Sequence, residues 1–267
     1  MCSSDLEERA AVPHHFIDCA DPHVPYNAGE FGDDGRRIIA QIARRGNTPV
    51  VVGGSGLYIA SLIDGLFQGP GADPSVRAAL TARWHAEGID ALLADLRAAD
   101  PETARTIDPT KPRRIIRALE VYRLTGEPLS VRQKREKIAV DFRPLVFGLS
   151  WDRHQLYARI ERRCDDMLAQ GLLDEVERLE KGGIDGTCTA MNSVGYAEAL
   201  AYLHGRVSAR EMVRLMKQNT RRYAKRQMTW FRRDPRIEWF GMDDRSSPET
   251  VAGRIEERYR AKCGMDA

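Results

Sequence analysis

Between the breaker-rich hinge GPGADP (69–74) and the strand-like RPLVFGLSW (143–151), the whole stretch 75–142 carries no credible strand. It reads as helices: SVRAALTARWHAEG, then IDALLADLRAADPETARTI, then PRRIIRALEVYRLTGEPLSVRQKR. What precedes the hinge has a different character. Residues 13–33 are broken by Asp-Pro and Val-Pro and read as a loop. A helix follows over Phe31–Arg45, with Ile38, Ile39 and Ile42 at helical spacing and Gly46-Asn47 ending it. PVVV (49–52) is short and continuously apolar, the pattern of a parallel strand covered on both faces. Helix, strand, glycine turn and helix in that order indicate an α/β sheet with crossovers. The long helical run is then an insertion into that core.

Beyond the insertion, residues 154–183 read as two helices divided by Gly171, and TCTAMNSVGYAEALAYLHG (187–205) reads as a loop. SAREMVRLMKQNTRRYAKRQMTWFRR (208–233) is a long helix that Asp234-Pro235 stops. RIEWFG (236–241) reads as a short final strand, followed by a marginal helical tail. At 267 residues there is room for one sizeable core and a small inserted domain. The expected organisation is an α/β core over 7–70, a helical insertion over 71–138, the second part of the core over 139–242 and a tail over 243–267.

The formal charge of +2 hides an uneven distribution. Arg206–Arg236 holds 11 Lys and Arg against 2 Asp and Glu, which leaves 30 basic and 37 acidic residues elsewhere. Arg210, Arg214, Lys217, Arg221 and Lys225 fall on one helical stripe, with Met212, Leu215, Met216, Tyr223 and Trp230 on an apolar side. Solvated helix faces normally mix signs. This one repels itself unless an anion compensates it, and nucleic acid is the partner expected. Helix-turn-helix spacing and zinc-finger ligands are absent, so DNA is not expected. RNA asks for exposed bases stacked on rings or guanidinium planes; Tyr223, Trp230 and Phe231 are open to that role or to a place in the core.

Gly53-Gly54-Ser55-Gly56 follows the PVVV segment and opens a helix. Successive N–H groups there can cradle an anion, and glycine permits the close approach and positive φ such a turn often needs. Ser55 either caps the helix or donates to a phosphate oxygen; the sequence leaves both open. Arg113, Arg114 and Arg117 begin a helix, the wrong end for cations in the helix dipole but suited to gripping phosphate. Five scattered cysteines without a CxxC pair give neither a disulfide framework nor a zinc pattern. His14, His15 and His23 are too loose for a metal site. No apolar run reaches membrane-spanning length and no hydrophobic leader is evident, so a cytoplasmic protein, with monomer as the default, is expected.

Several motifs in order resemble the tRNA dimethylallyltransferases (tRNA isopentenyltransferases). They are VPHHFID (12–18), DPHVPYNAGEF (21–31), PVVVGGSGLYIASLIDGL (49–66), DPTKPRRIIRALEVYRLTGEPLS (108–130), MLAQGLLDEV (167–176), MNSVGYAEAL (191–200) and TRRYAKRQMTWFRR (220–233). The resemblance spans about residues 7–240. It implies a core like that of P-loop kinases, a parallel sheet flanked by helices with an all-helical subdomain inserted. The implied reaction moves a dimethylallyl group from dimethylallyl diphosphate to N6 of adenosine 37 in tRNAs reading codons that begin with U, with Mg2+ required. By that resemblance Gly53, Gly54, Ser55 and Gly56 line the diphosphate site. Arg113, Arg114, Ile115, Ile116 and Arg117 belong to a segment contacting the anticodon stem-loop. So do Met191, Asn192, Ser193, Val194, Gly195 and Tyr196, and Lys225, Arg226, Gln227, Met228, Thr229, Trp230, Phe231 and Arg232. Ser55, Arg117 and Arg163 are the supporting candidates near the leaving group, and no residue is assigned as a metal ligand.

One departure is plain. Family members open with a GxTxxGK[ST] nucleotide-binding loop and a D-S-x-x-x-Y segment whose aspartate is the presumed base. This sequence has no Gly-Lys pair, and Cys2–Leu6 does not resemble the family, so the α/β core is expected to be incomplete at its N-terminus and the chain inactive as written. Two rivals stand beside the transferase reading. A small-molecule kinase or NTPase shares the core type but leaves the basic helix unexplained. A non-catalytic tRNA-binding protein explains the helix without the loop.

Overall fold

Two of the Asp-Pro pairs that break the sequence pattern, Asp73-Pro74 and Asp100-Pro101, are helix starts. Asp73 accepts from the backbone N–H groups of Ser75 and Val76, with Pro74 in the first turn where its missing N–H is harmless. Asp100 does the same for Thr103, with Pro101 behind it. In the computed structural model, which describes residues 11–65, 69–135 and 140–264, these caps punctuate a wholly helical region. The stretch Cys2–Leu6, expected to be unlike the family, and the expected onset of resemblance at Glu7 lie outside the described residues.

The chain divides into two units, residues 28–50 with 57–142, and residues 1–27 with 51–56 and 143–267. The first contains α1 (Ala28–Arg44), α2 (Gly56–Asp64, all but its first residue), α3 (Pro74–Glu87), α4 (Ile89–Ala99), α5 (Pro101–Thr106), α6 (Pro112–Thr125) and α7 (Leu129–Arg135). Leu80 of α3, Leu92, Leu93 and Leu96 of α4, and Ile115, Ile116, Ala118 and Leu119 of α6 form its core. Burying aliphatic side chains of this size stabilises by about 1.5–3 kcal/mol each. The expectation of strandless chain across the insertion holds over its described residues.

The second unit holds β1 (Val146–Trp151), α8 (Arg153–Ala169), α9 (Leu172–Lys181), a 3₁₀ turn at Ala190–Asn192, α10 (Tyr196–Leu203), α11 (Ala209–Phe231), β2 (Ile237–Met242) and α12 (Pro248–Cys263). β1 and β2 pair in parallel, from Val146 opposite Ile237 to Trp151 opposite Met242. Both strands match the sequence reading, and the described protein is a helix-rich α/β fold with a small parallel sheet. Gly171, at φ 92°, separates α8 from α9 as expected. Cys164, Leu172, Val176, Met191, Leu200 and Met216 form the core of this unit.

Two expectations are corrected. PVVV is not a strand: residues 49–52 carry no ladder, and Val50 and Val52 are 79% and 91% exposed. A strand needs hydrogen-bonding neighbours, and the two strands among the described residues pair with each other. The loop read over 187–205 is half helix. The backbone N–H of Gly195 donates to Glu198 three residues on, at 2.7 Å, which starts α10 on a run of good helix formers. The helix expected over Phe31–Arg45 is present as α1, in which Ile38, Ile39 and Ile42 are half-buried and the buried positions are Ala28, Gly32 and Gly35. A Cβ on Gly35 would lie 2.7 Å from Leu62 and one on Gly32 2.8 Å from the Ser61 carbonyl, so α1 and α2 meet through absent side chains.

Candidate functional site

The long basic helix α11 is capped by Ser208, whose hydroxyl accepts from the Glu211 N–H at 3.2 Å. Along its first half the positive charge is answered. Arg214 pairs with Glu211, Lys217 with Asp165 at 2.7 Å and Arg221 with Glu161, the last two carboxylates coming from α8. Arg210 has no such partner among the described residues. The sequence reading, that this stripe repels itself for want of an anion, is corrected here: α8 supplies the anions, from far away in sequence. Met212 and Met216 are buried beneath.

The second half is different. Arg222, Lys225, Arg226, Arg232 and Arg233 are all exposed, and none has a carboxylate partner among the described residues. The Arg226 guanidinium lies 5.6 Å from the Tyr223 ring centroid, a cation–π contact. Tyr223 and Trp230, read as an apolar side, are 40% and 44% exposed. Met228 and Phe231 are half-buried, and the Thr229 hydroxyl is turned back to the Lys225 carbonyl at 2.9 Å. Five neighbouring cations with exposed rings between them suit a phosphate backbone carrying unstacked bases.

The GGSG turn lies in the same unit as α11. The Gln227 side-chain amide donates to the Gly54 carbonyl at 2.9 Å. A Cβ on Gly54 would overlap that amide nitrogen, and one on Gly56 would overlap the Trp230 indole. None of Gly53, Gly54 and Gly56 has positive φ. The glycines therefore serve the close approach of Gln227 and Trp230, not the left-handed backbone that an anion cradle often needs. Ser55 is exposed and its hydroxyl makes no hydrogen bond among the described residues, so the capping alternative is not realised. The hydroxyl and the N–H groups opening α2 are the polar groups this turn presents.

In the other unit, Arg113 and Arg114 are exposed at the start of α6, where a cleft of about 480 Å³ is lined by Trp84, Thr110, Lys111, Pro112, Arg113 and Arg114. Ile115 and Ile116 point into the core, 0% and 5% exposed. Arg117 also turns inward. It donates to Glu120 at 2.7 Å and to the Pro70 carbonyl at 2.7 Å. Glu120 is wholly buried, bonded also by Arg77 at 2.9 Å and by the Asp73 N–H at 3.0 Å. Burial pushes its carboxyl up, but Arg77, Arg117 and the Asp73 amide outweigh that and hold it below the ordinary value. Sequence reasoning missed Glu120. The available signal was an acid inside an apolar helical run, three residues after an arginine.

The segment 191–196 is mostly interior. Met191 is in the core and Gly195 is buried, whereas Asn192 and Ser193 are exposed and Val194 is half-buried. The Tyr196 hydroxyl donates to Glu175 at 2.9 Å, and burial together with that carboxylate pushes it up to about 12. It stays a protonated donor and is no acid–base group at neutral pH. Arg163 is exposed on α8. Among the described residues no three His, Cys, Asp or Glu side chains gather to hold an ion. The magnesium implied by the resemblance thus finds no cage of side chains among them, and no step below runs through it. No described helix is long and apolar enough to cross a membrane.

Comparison with known proteins bears on these surfaces. The family model described as IPP transferase matches residues 3–234, opening four residues before the motifs become recognisable at Glu7. The chain is 47% identical over 234 residues to a tRNA dimethylallyltransferase of Geobacter metallireducens, covering 87% of this chain and 76% of that protein. It is 42% identical over 259 residues to one of Geobacillus thermodenitrificans, covering 97% and 81%. Its fold matches a full-length tRNA isopentenylpyrophosphate transferase of Bacillus halodurans with a TM-score of 0.65 at 36% identity, over 97% of this chain and 84% of that one. A eukaryotic dimethylallyltransferase acting on tRNA matches with a TM-score of 0.75 at 28% identity, over 94% and 65%.

Proposed function

The chain belongs to the IPP transferase family, a family of tRNA-prenylating enzymes, and from that premise we propose a specific reaction for it. It transfers the dimethylallyl group of dimethylallyl diphosphate to N6 of adenosine 37, beside the anticodon of tRNAs reading codons that begin with U, and releases diphosphate. It acts as a cytoplasmic monomer. The observation that carries this reading is the unanswered charge of residues 222–233 on the very helix that grips the GGSG turn.

The chemistry asks for what these residues offer. The allylic carbon–oxygen bond breaks and its electron pair stays on the departing diphosphate. Cations and oriented N–H groups stabilise that charge as it forms. The N–H groups opening α2 and the Ser55 hydroxyl receive the diphosphate end. Lys225, Arg226 and Arg232 hold tRNA phosphates, and Tyr223 offers a stacking surface. Adenine leaves the stack to reach the allylic carbon, N6 bonds to it, and the N6 proton leaves to a base. Water has to be kept from the allylic cation, which it would capture. Arg113 and Arg114, at their cleft, contact the anticodon stem-loop, and Asn192 and Ser193 in the other unit offer it contacts of their own.

Incubating the purified chain with dimethylallyl diphosphate and an unmodified tRNA transcript tests this. Transfer, read by nucleoside mass spectrometry as one dimethylallyl group replacing one hydrogen at adenosine 37 and none in a transcript with guanosine there, would support this reaction and overturn the expectation that the chain is inactive as written. Salt-dependent tRNA binding without transfer would instead leave a tRNA-binding protein. ATP hydrolysis without tRNA binding would favour the kinase class.

A further inference from the structure

We propose that Gln227 and Trp230 are positioning residues for the diphosphate turn, and that Gln227 does not contact tRNA. The inference rests on the reading that Gly53–Gly56 receives the diphosphate. Both side chains belong to the basic segment Lys225–Arg232; Gln227 is half-buried and Trp230 is 44% exposed. One helical turn apart, they meet the backbone of the GGSG turn at two points.

Gln227 holds the turn by its carbonyl. Its amide nitrogen donates to Gly54 O at 2.9 Å, and its Cδ would stand 3.1 Å from a Cβ at that position. Trp230 supports the other end. Its indole Cγ would lie 2.5 Å from a Cβ on Gly56, inside the 3.0 Å that such contacts keep. Gly53, by contrast, has open space where its Cβ would be. The two glycines with neighbours are thus the two that the side chains of α11 touch, and neither needs positive φ. A turn joined to its flanking residues only by covalent bonds would wander, because Val51, Val52 and Gly53 are exposed and outside any ladder. Anchored at Gly54 and Gly56, it keeps the N–H groups at the start of α2 in one arrangement. Preorganised donors are worth more than mobile ones, since no reordering is needed when the anion arrives. The same helix then carries the tRNA-binding cations on its exposed side and the support of the donor turn on another.

The test uses the full chain and two binding measurements that require no turnover. In Gln227→Leu, which keeps bulk and removes the donor, affinity for dimethylallyl diphosphate and for inorganic diphosphate is expected to fall about tenfold. Affinity for tRNA should stay within about twofold, since the cations that meet phosphate are all still present. Amide exchange at 54–56 should speed up by about tenfold, the sign that the anchor held the turn. Gly54→Ala should reproduce this weakening by evicting Gln227, and combining it with Gln227→Ala, which removes the overlap, should be less than additive. An equal fall in tRNA and diphosphate affinity in Gln227→Leu would overturn the proposal, as would unchanged exchange at 54–56. If the wild-type chain binds no diphosphate at all, the positioning role falls too. Faster exchange in Gln227→Leu would then locate the failure in the diphosphate reading, with the Gln227–Gly54 hydrogen bond itself upheld.

Discussion

The two halves of α11 carry the same kind of side chain in different surroundings. In the first, Arg214, Lys217 and Arg221 each meet a carboxylate, two of them from α8. In the second half and the two arginines that follow it, five cations meet none among the described residues. The sequence shows one continuous basic stripe, but among the described residues, Arg210 aside, the electrostatically available charge is at its second end. α6 repeats the contrast on a smaller scale: Arg117 is held by the buried Glu120, whereas Arg113 and Arg114 stand at an open cleft. Local density of arginine therefore marks a candidate surface, and carboxylates arriving from other elements decide which part of it can bind.

The sharpest way to break this comparison is charge reversal in the second half. Replacing Lys225, Arg226 and Arg232 together by Glu is expected to lower tRNA affinity on the order of a hundredfold. It should also flatten the salt dependence by about 0.7–0.9 for each phosphate no longer neutralised. Unchanged binding in an anisotropy titration would remove α11 from the tRNA surface.

Next in size is Glu120→Gln, which tests whether Arg117 is structural. It should destabilise the chain by about 1.5–3 kcal/mol at neutral pH, toward the lower figure because Arg77 and Arg117 retain some solvent. Glu120 titrates lower when folded than its ordinary value of about 4.3. Its contribution is thus complete above that value and disappears as pH falls through the depressed one. Denaturant unfolding of wild type and variant should converge in acid; a gap that widens instead would contradict the assignment.

Smaller again, Arg113→Ala and Arg114→Ala should each weaken tRNA binding by about three- to tenfold with the unfolding midpoint nearly unmoved, as exposed residues allow. A lowered midpoint with intact binding would move them to the structural class beside Arg117. The smallest effect belongs to the answered half of α11. Lys217→Gln and Arg221→Gln should change tRNA affinity by less than about twofold, because their charge is already balanced by Asp165 and Glu161. A drop matching that of the second half would erase the distinction between the two.

Much of this was legible in the chain alone. Helical periodicity, Asp-Pro breaks and Gly171 located the strandless region and the α8–α9 division, because capping and turn chemistry act over a few residues. RPLVFGLSW and RIEWFG announced the two strands, and the ordered motifs pointed to the family that the comparisons bear out. Three things were not legible. PVVV has strand composition but no strand, since a ladder depends on neighbours that composition cannot supply. The glycines of GGSG suggested backbone freedom, whereas what they provide is room for Gln227 and Trp230, which lie far along the chain. The charge of α11 summed to a repelling stripe until α8 brought Glu161 and Asp165 beside it. Short-range rules fix where elements begin and end. Which charges are free, which glycines are needed and which apolar runs pair are properties of contacts between distant segments, and those only the tertiary structure decides.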